Sequence, residues 1–309
     1  MQTHNQCDCM DIANLSAFVA IAQAGSFSAA ADKLHLTQPA ISKRIALLEA
    51  ELNVRLFDRL GRQVALTEAG LALAPRAQRI LEELADTRRL LDTLGHEVSG
   101  VLRVATSHHI GLHRLPPLLR QFSARHPHAE LDIRFVGSEQ AYVQVLQGEV
   151  ELAVTTLSPD TRLPLQAVPV WDDPLMIMVA TDHPLAALKK PTLAEIAAHP
   201  AVLPERDTFT HRIVAELFAQ HQVPLQLRMT TNYLETLKML VSVGLAWSAL
   251  PKSLLDDQLV ALPVPALKLH RQLGYVSHSG RTRSRAAQAL IELLHEHGDR
   301  PAGPARRKR

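Results

Sequence analysis

Residues 26–49, SFSAAADKLHLTQPAISKRIALLE, constrain the fold more than any other part of the chain. A short alanine-rich helix, containing Ala29, Ala30 and Ala31, stops near Thr37, and a new helix restarts at once. Helices so close in sequence cannot lie alongside each other over their whole length. The turn must set them at an angle and push the second one outward, which is the geometry of a helix-turn-helix. Leu34 and Leu36 supply apolar anchors at the turn. Thr37 reads as an N-cap whose hydroxyl takes one of the orphan N–H groups, and Pro39 suits a first turn that needs no donor. Ile41, Ile45, Leu48 and Leu52 recur at helical spacing, giving one apolar stripe for a core.

The opposite face carries Thr37, Gln38, Pro39, Ser42, Lys43 and Arg44. Such a face suits DNA: a helix fits the major groove, amides and hydroxyls reach base edges, a proline ring meets a thymine methyl, and cations meet phosphate. A solvated face in an ordinary bundle has the same spacing, so the flanking segments must decide. Upstream, Leu15, Phe18, Val19 and Ala22 form a helical stripe that ends at Gly25, the third helix such a module needs. Downstream, Leu56 and Phe57 precede a turn at Gly61, and Val64 and Leu66 alternate after it, as in a small β-wing. Arg59 and Arg62 then stand at the wing, beside phosphate or a minor groove.

The run FVAIAQAGSFSAAADKLHLTQPAISKRIALLEAELNVRLFDRLGRQVALTEAG, residues 18–70, resembles the winged helix-turn-helix of LysR-type transcriptional regulators. The resemblance extends over nearly the whole chain. It implies binding to double-stranded DNA as a homodimer, often a dimer of dimers, with a small-molecule-responsive domain behind and RNA polymerase among the partners. Met10 stands where chains of this family begin, so residues 1–9 read as an extension or a mis-assigned start.

The rest of the chain sets the domain plan. At 309 residues and 47% hydrophobic, it can bury more than one core. The expected order is an extension (1–9), a winged helix-turn-helix (10–66), a linker and dimerisation helix (67–95), a hinge (96–100), an effector domain (101–298) and a disordered basic tail (299–309). Leu71, Ala74, Ile80, Leu81, Leu84, Leu91 and Leu94 make the linker too apolar to stand alone, and in the resembled family this helix pairs the subunits. The net charge of +2 says nothing about DNA, because the tail RPAGPARRKR holds five cations and leaves the preceding residues at −3. Affinity must come from local placement.

No apolar run is long enough for a bilayer, and no secretion signal is evident at the N-terminus, so a cytoplasmic protein without a membrane partner is expected. The only cysteines, Cys7 and Cys9, exclude a disulfide framework and a cysteine nucleophile in the folded body.

Beyond residue 100 the chain reads VLRVATS, LHRLPPLLRQFSARHP, ELDIRFV, EQAYVQVLQG and ELAVTT, a βαβαβ run that argues for a parallel sheet with helices on its faces. A second α/β unit follows from about Leu175 to Leu262, and LHRQLGYVSH and RAAQALIELLHEH return to the first. The fold class is therefore α/β behind an all-α winged helix-turn-helix. Its two lobes, about 101–170 with 268–298 and about 171–267, are joined by crossing strands and close on a ligand as a periplasmic binding protein does.

In such sheets the ligand sits beyond the carboxyl ends of strands, where helix N-termini present free N–H groups. This selects Thr106, Ser107, His108 and His109, then Ser138, then Thr155 and Thr156, and across the cleft Arg206, Asp207, Thr208 and Thr210. The effector set is Thr106, Ser107, His109, Ser138, Thr155 and Thr208; the resemblance favours Ser107 and His109. Hydroxyls and amides there suit a carboxylate or another small anion.

His109 and His113, four apart in HHIGLHR, could place two imidazoles on one helical face, but the sequence supplies no acidic or thiol ligand nearby, so no metal and no cofactor are expected. HEVSG and HEHGD lack the second histidine of a zinc-protease motif, and no phosphate-cradling or nucleophile-elbow pattern occurs. The competing reading is a catalytic two-lobed α/β protein with an accessory helical domain. It needs convergent titratable groups, and only His108, His109 and Asp207 offer themselves.

Overall fold

The computed structural model describes residues 10–60, 63–93, 97–264 and 269–299. The chain divides into two units, Met1–Leu91 and Asp92–Arg309. The extension 1–9, Arg62, the end of the expected linker and start of its hinge (94–96), and the tail 300–309 lie outside the described residues.

The first unit begins with α1 (Ile12–Ala24), α2 (Phe27–Lys33) and α3 (Gln38–Leu52). Local chemistry sets each boundary. Asp11 caps α1 by accepting from Ala13 N, and Gly25 ends it in the left-handed region, at φ 63°. Ser26 caps α2, and Thr37 caps α3 by accepting from Ala40 N at 3.4 Å. Between α2 and α3, His35 takes φ 53°, a left-handed turn made without glycine.

A wing follows, β1 (Phe57–Leu60) antiparallel to β2 (Gln63–Leu66), and then α4 (Glu68–Thr93). Phe57 packs at an angle against Phe18 and Phe27, with ring centroids 5.3 and 5.7 Å away. Burying an aromatic ring is worth roughly 1.5–3 kcal/mol, against about 1 kcal/mol for a cap. Packing therefore holds the helix angle, while the caps fix where each helix starts. Ala30 and Ala31 are buried as the close crossing requires, but Ala29 faces solvent. Glu49 of α3 accepts from Leu56 N and Phe57 N, tying α3 to the start of the wing.

Helix α4 is not a free linker over its whole length. Leu73, Ala74, Ala77 and Leu81 belong to the first unit's core, whereas Leu71, Ile80, Leu90 and Leu91 are exposed. At Gly70 a Cβ would meet Leu56 O at 2.3 Å, so only glycine lets α4 pass the wing this closely.

In the second unit the elements are β3 (Gly100–Thr106), α5 (His108–His113), α6 (Leu115–Arg125), β4 (Ala129–Phe135), α7 (Ser138–Gln147), β5 (Leu152–Thr156) and β6 (Leu165–Ala180). Then come α8 (Leu193–Ala197), β7 (Ala201–Leu203), α9 (Phe209–Gln220), β8 (Leu227–Thr230), α10 (Leu234–Ser242) and β9 (Ser248–Pro251). The unit closes with β10 (Leu259–Ala261), β11 (Leu269–His278) and α11 (Arg285–Glu296).

The sheet order β10-β6-β11-β5-β3-β4, with β9 also on β6, is mixed. β3 pairs in parallel with β4 and β5, as the βαβαβ run predicts, but β11 is antiparallel to both β5 and β6. A separate parallel pair, β7 with β8, lies in lobe two.

The 16-residue strand β6 is the main departure from the sequence reading, which places no strand between Thr156 and Leu175. Pro169, Asp172, Asp173 and Pro174 break the apolar pattern. The strand serves both lobes. Val170 and Trp171 pack into lobe one with Leu118, Phe122 and Leu290, while Leu175, Ile177 and Val179 pack into lobe two with Phe218 and Trp247. Met178, pointing the other way as strand alternation requires, meets Leu237 and Val241 of α10. The expected lobe boundary at 171 thus falls inside one continuous strand. At the bulge beside it, a Cβ on Gly274 would meet Val168 O at 2.1 Å, so β11 can approach β6 only with glycine there.

Candidate functional site

Two polar regions stand out, one in each unit. In the first unit, Ile41, Ile45 and Leu48 anchor α3, and the other side presents Gln38, Pro39 and Lys43 exposed and Ser42 and Arg44 half-buried. Thr37 is exposed, with its hydroxyl used as the cap. Arg59 is in β1 opposite Val64, but its side chain, like all of Arg62, falls outside the described residues. The helix is thus fixed from behind and polar in front.

In the second unit a cleft of about 570 Å³ opens between the lobes. Ser107, His108 and His109 form one wall at the end of β3, joined by Phe135, Ser138 and Glu139. Glu205, Thr208, Thr231, Asn232 and Tyr233 form the other, and Thr156, Thr210 and Arg271 also line the space.

Of the six expected effector residues, Ser107, His109, Ser138 and Thr208 reach the cleft, whereas Thr106 and Thr155 do not line it. Both are fully buried. Thr106 Oγ1 donates to Val154 O at 2.8 Å, and Thr155 Oγ1 donates to Ser138 Oγ at 2.8 Å. Alternation along β5 sends Thr155 inward and leaves Thr156 at the cleft. Arg206 and Asp207 are exposed outside the lining.

The walls are already hydrogen-bonded. Thr208 caps α9, accepting from His211 N while donating to Glu205 O. Asn232 pairs twice with Glu205, at 2.9 Å each. Ser107 precedes α5 yet makes no capping bond with its side chain. Glu139 of lobe one accepts from Phe209 N of lobe two at 2.6 Å, placing a carboxylate on the N-terminus of α9. His108 sits edge-on to Phe135 and to Tyr233, one from each lobe.

Arg271 is the residue that sequence reasoning missed most plainly. It is only 6% exposed; its Nε donates to Asp173 Oδ2 at 2.7 Å and its Nη1 to Thr210 Oγ1 at 3.1 Å. Asp173 and Arg271 are register partners on β6 and β11, so the crossing strands carry a buried ion pair to the cleft. A lone arginine inside the strand pattern LHRQLGYVSH was the available signal.

His109 is buried beside that pair. Burial, the Arg271 cation and His113 lower its pKa from 6.5 to about 4, so the ring is neutral near pH 7. His113 Nε2 lies 3.2 Å from Glu235 Oε1, and His109 Nδ1 lies 3.8 Å from the same oxygen. Among the described residues these three form the one group of His, Cys, Asp or Glu donors with metal-binding spacing.

Known families account for both regions. Residues 12–71 match the bacterial regulatory helix-turn-helix protein, lysR family, and residues 95–299 match the LysR substrate binding domain. The chain is a LysR-type transcriptional regulator. The regulator is 69% identical over 108 residues to an uncharacterised HTH-type transcriptional regulator of Azotobacter vinelandii, a match covering 35% of this chain and 75% of that one. It is 31% identical to a probable RuBisCO transcriptional regulator of Cyanidioschyzon merolae, over 91% of this chain and 96% of the other. The structure of a full-length OxyR point variant from Pseudomonas aeruginosa shares the fold at TM-score 0.68 and 24% identity, covering 93% and 95% of the two chains.

The regulator thus carries a DNA-binding helix-turn-helix and a two-lobed effector-binding domain, and the catalytic alternative is set aside. Among its described residues no helix is long and apolar enough to cross a membrane.

Proposed function

We propose that this regulator reads its operator with Gln38, Pro39, Ser42 and the backbone start of α3 in the major groove, while Lys43, Arg44, Arg59 and Arg62 contact phosphate. A homodimer, formed through the exposed Leu71, Ile80, Leu90 and Leu91 of α4, supplies two such helices to a two-fold operator, in the cytoplasm. Dimers paired as tetramers and contact with RNA polymerase complete the reading.

The effector is a small anion of the carboxylate class. The observation that carries this is the Glu139 carboxylate on Phe209 N: the cleft already holds one carboxylate across its two walls. An effector carboxylate replaces it there, supported by Ser107 and Thr208, with the Arg271 guanidinium nearby. Replacing a bond between the lobes by a bond to ligand changes cleft closure, which resets the spacing of half-sites held by the dimer.

The test is binding of a panel of short carboxylates and their uncharged amides, followed by thermal melting and operator footprinting. Carboxylates should stabilise the protein and shift the footprint, and Ser107→Ala should weaken both effects. Amides that stabilise equally well, or a tight carboxylate that leaves the footprint unmoved, overturn this reading.

A further inference from the structure

We propose that His109, His113 and Glu235 form a binding site for a divalent transition-metal ion of the zinc class at the rim of the cleft, joining lobe one to lobe two. The inference does not depend on which effector the cleft takes.

Three observations carry it. First, α5 holds His109 and His113 one turn apart, with ring centroids 4.7 Å from each other, so both imidazoles face the same way. Second, α10 of the opposite lobe brings Glu235 to them, 122 residues later in the chain than His113. This supplies the acidic ligand absent from the local sequence. Third, His109 Nδ1 is buried without a hydrogen-bond partner, on a side chain only 8% exposed, and lies 3.8 Å from Glu235 Oε1, past hydrogen-bond reach. Buried polar atoms are nearly always satisfied, so an orphaned imidazole nitrogen directed toward a carboxylate needs an explanation.

A metal supplies one. Donors bound to zinc at about 2.0–2.1 Å in tetrahedral geometry stand about 3.3 Å apart. His113 to Glu235 is already 3.2 Å, His109 to Glu235 is 3.8 Å, and all three donor atoms lie within 4.8 Å of one another. Closing the set requires the two imidazoles and the carboxylate to draw together by about 1 Å. Two imidazoles and one carboxylate select zinc, cobalt or nickel over magnesium and calcium, which prefer oxygen donors. Three protein ligands leave the fourth position open to water.

A plain salt link between His113 and Glu235 is the rival explanation. It accounts for the 3.2 Å contact but leaves His109 Nδ1 orphaned. With metal bound, all three groups are used, and the ion clamps the rim where the two lobes meet.

The experiment uses the full chain with Cys7→Ser and Cys9→Ser, which removes any thiolate site near the N-terminus. Cobalt(II) titration should give one equivalent of bound ion with d–d absorption bands, and zinc should displace it. Glu235→Gln and His113→Gln, neither of which lines the cleft, should each weaken binding at least about tenfold while melting like the parent without metal. Zinc should raise the melting temperature of the parent and leave both variants unshifted. Equal binding in parent and variants, or no binding at micromolar metal, overturns the site. The carboxylate panel repeated on Glu235→Gln separates the two readings, because carboxylate binding that persists in a parent and variant that both fail to bind metal overturns the metal site alone.

Discussion

The exposed face of α3 and the cleft between the lobes are both polar, but their polar groups are deployed differently. On α3 the specific side chains Gln38 and Lys43 project into solvent from a helix held by Ile41, Ile45 and Leu48 behind them. In the cleft, Glu139, Glu205, Asn232, Thr208, Thr210 and Arg271 are already engaged with protein groups, several of them between lobes or between crossing strands. On the proposed reading, DNA meets side chains that need no rearrangement, whereas an effector must exchange with bonds the protein has made.

The largest effect that would sharpen this contrast is in the cleft. Asp173→Ala leaves Arg271 buried without its carboxylate, and removing one partner of such a pair costs about 3–5 kcal/mol. Urea denaturation should show that loss, and a change below about 1 kcal/mol would mean that the pair is weakly coupled and the cleft less pre-engaged than its geometry indicates.

On the DNA side, Gln38→Ala should cost about 1–3 kcal/mol in discrimination between operator and scrambled DNA. Equal loss on both sequences would break the contrast by showing that Gln38 positions the helix and reads no base. Thr37→Ala should lower the stability of the first unit by about 1 kcal/mol, with Thr37→Asp restoring it, in thermal melts. The smallest effect belongs to the wing: Arg62→Ala should weaken binding to all DNA and flatten the salt dependence by about one unit of slope. An unchanged slope would remove the wing from the phosphate contacts.

The same contrast explains what could be read in advance. Asp11, Gly25, Ser26, Thr37 and Pro39 act on backbone groups a few residues away, so α1, α2 and α3 are encoded where they occur. His35 at positive φ and Glu49 bonding the wing escaped, since neither belongs to a common turn or cap pattern.

In the second unit, strand ends and helix starts pointed to Ser107, His109, Ser138 and Thr208, and the same rule ran one residue deep at Thr106 and Thr155. Arg271 stood out only as a lone arginine in a strand pattern, and Glu235 not at all, because the partners Asp173 and His113 lie about a hundred positions away in sequence. Strand β6 was hidden by Pro169 and Pro174, which are tolerated there because β6 pairs with β11 across a bulge at Val170.

That strand also constrains any movement of one lobe against the other. Because β6 runs unbroken from Leu165 to Ala180 through the cores of both lobes, the lobes share one piece of backbone and have no slack tether at that crossing. Opening and closing then resemble the flexing of a leaf spring. On the proposed mechanism, an effector would act by changing where that spring comes to rest.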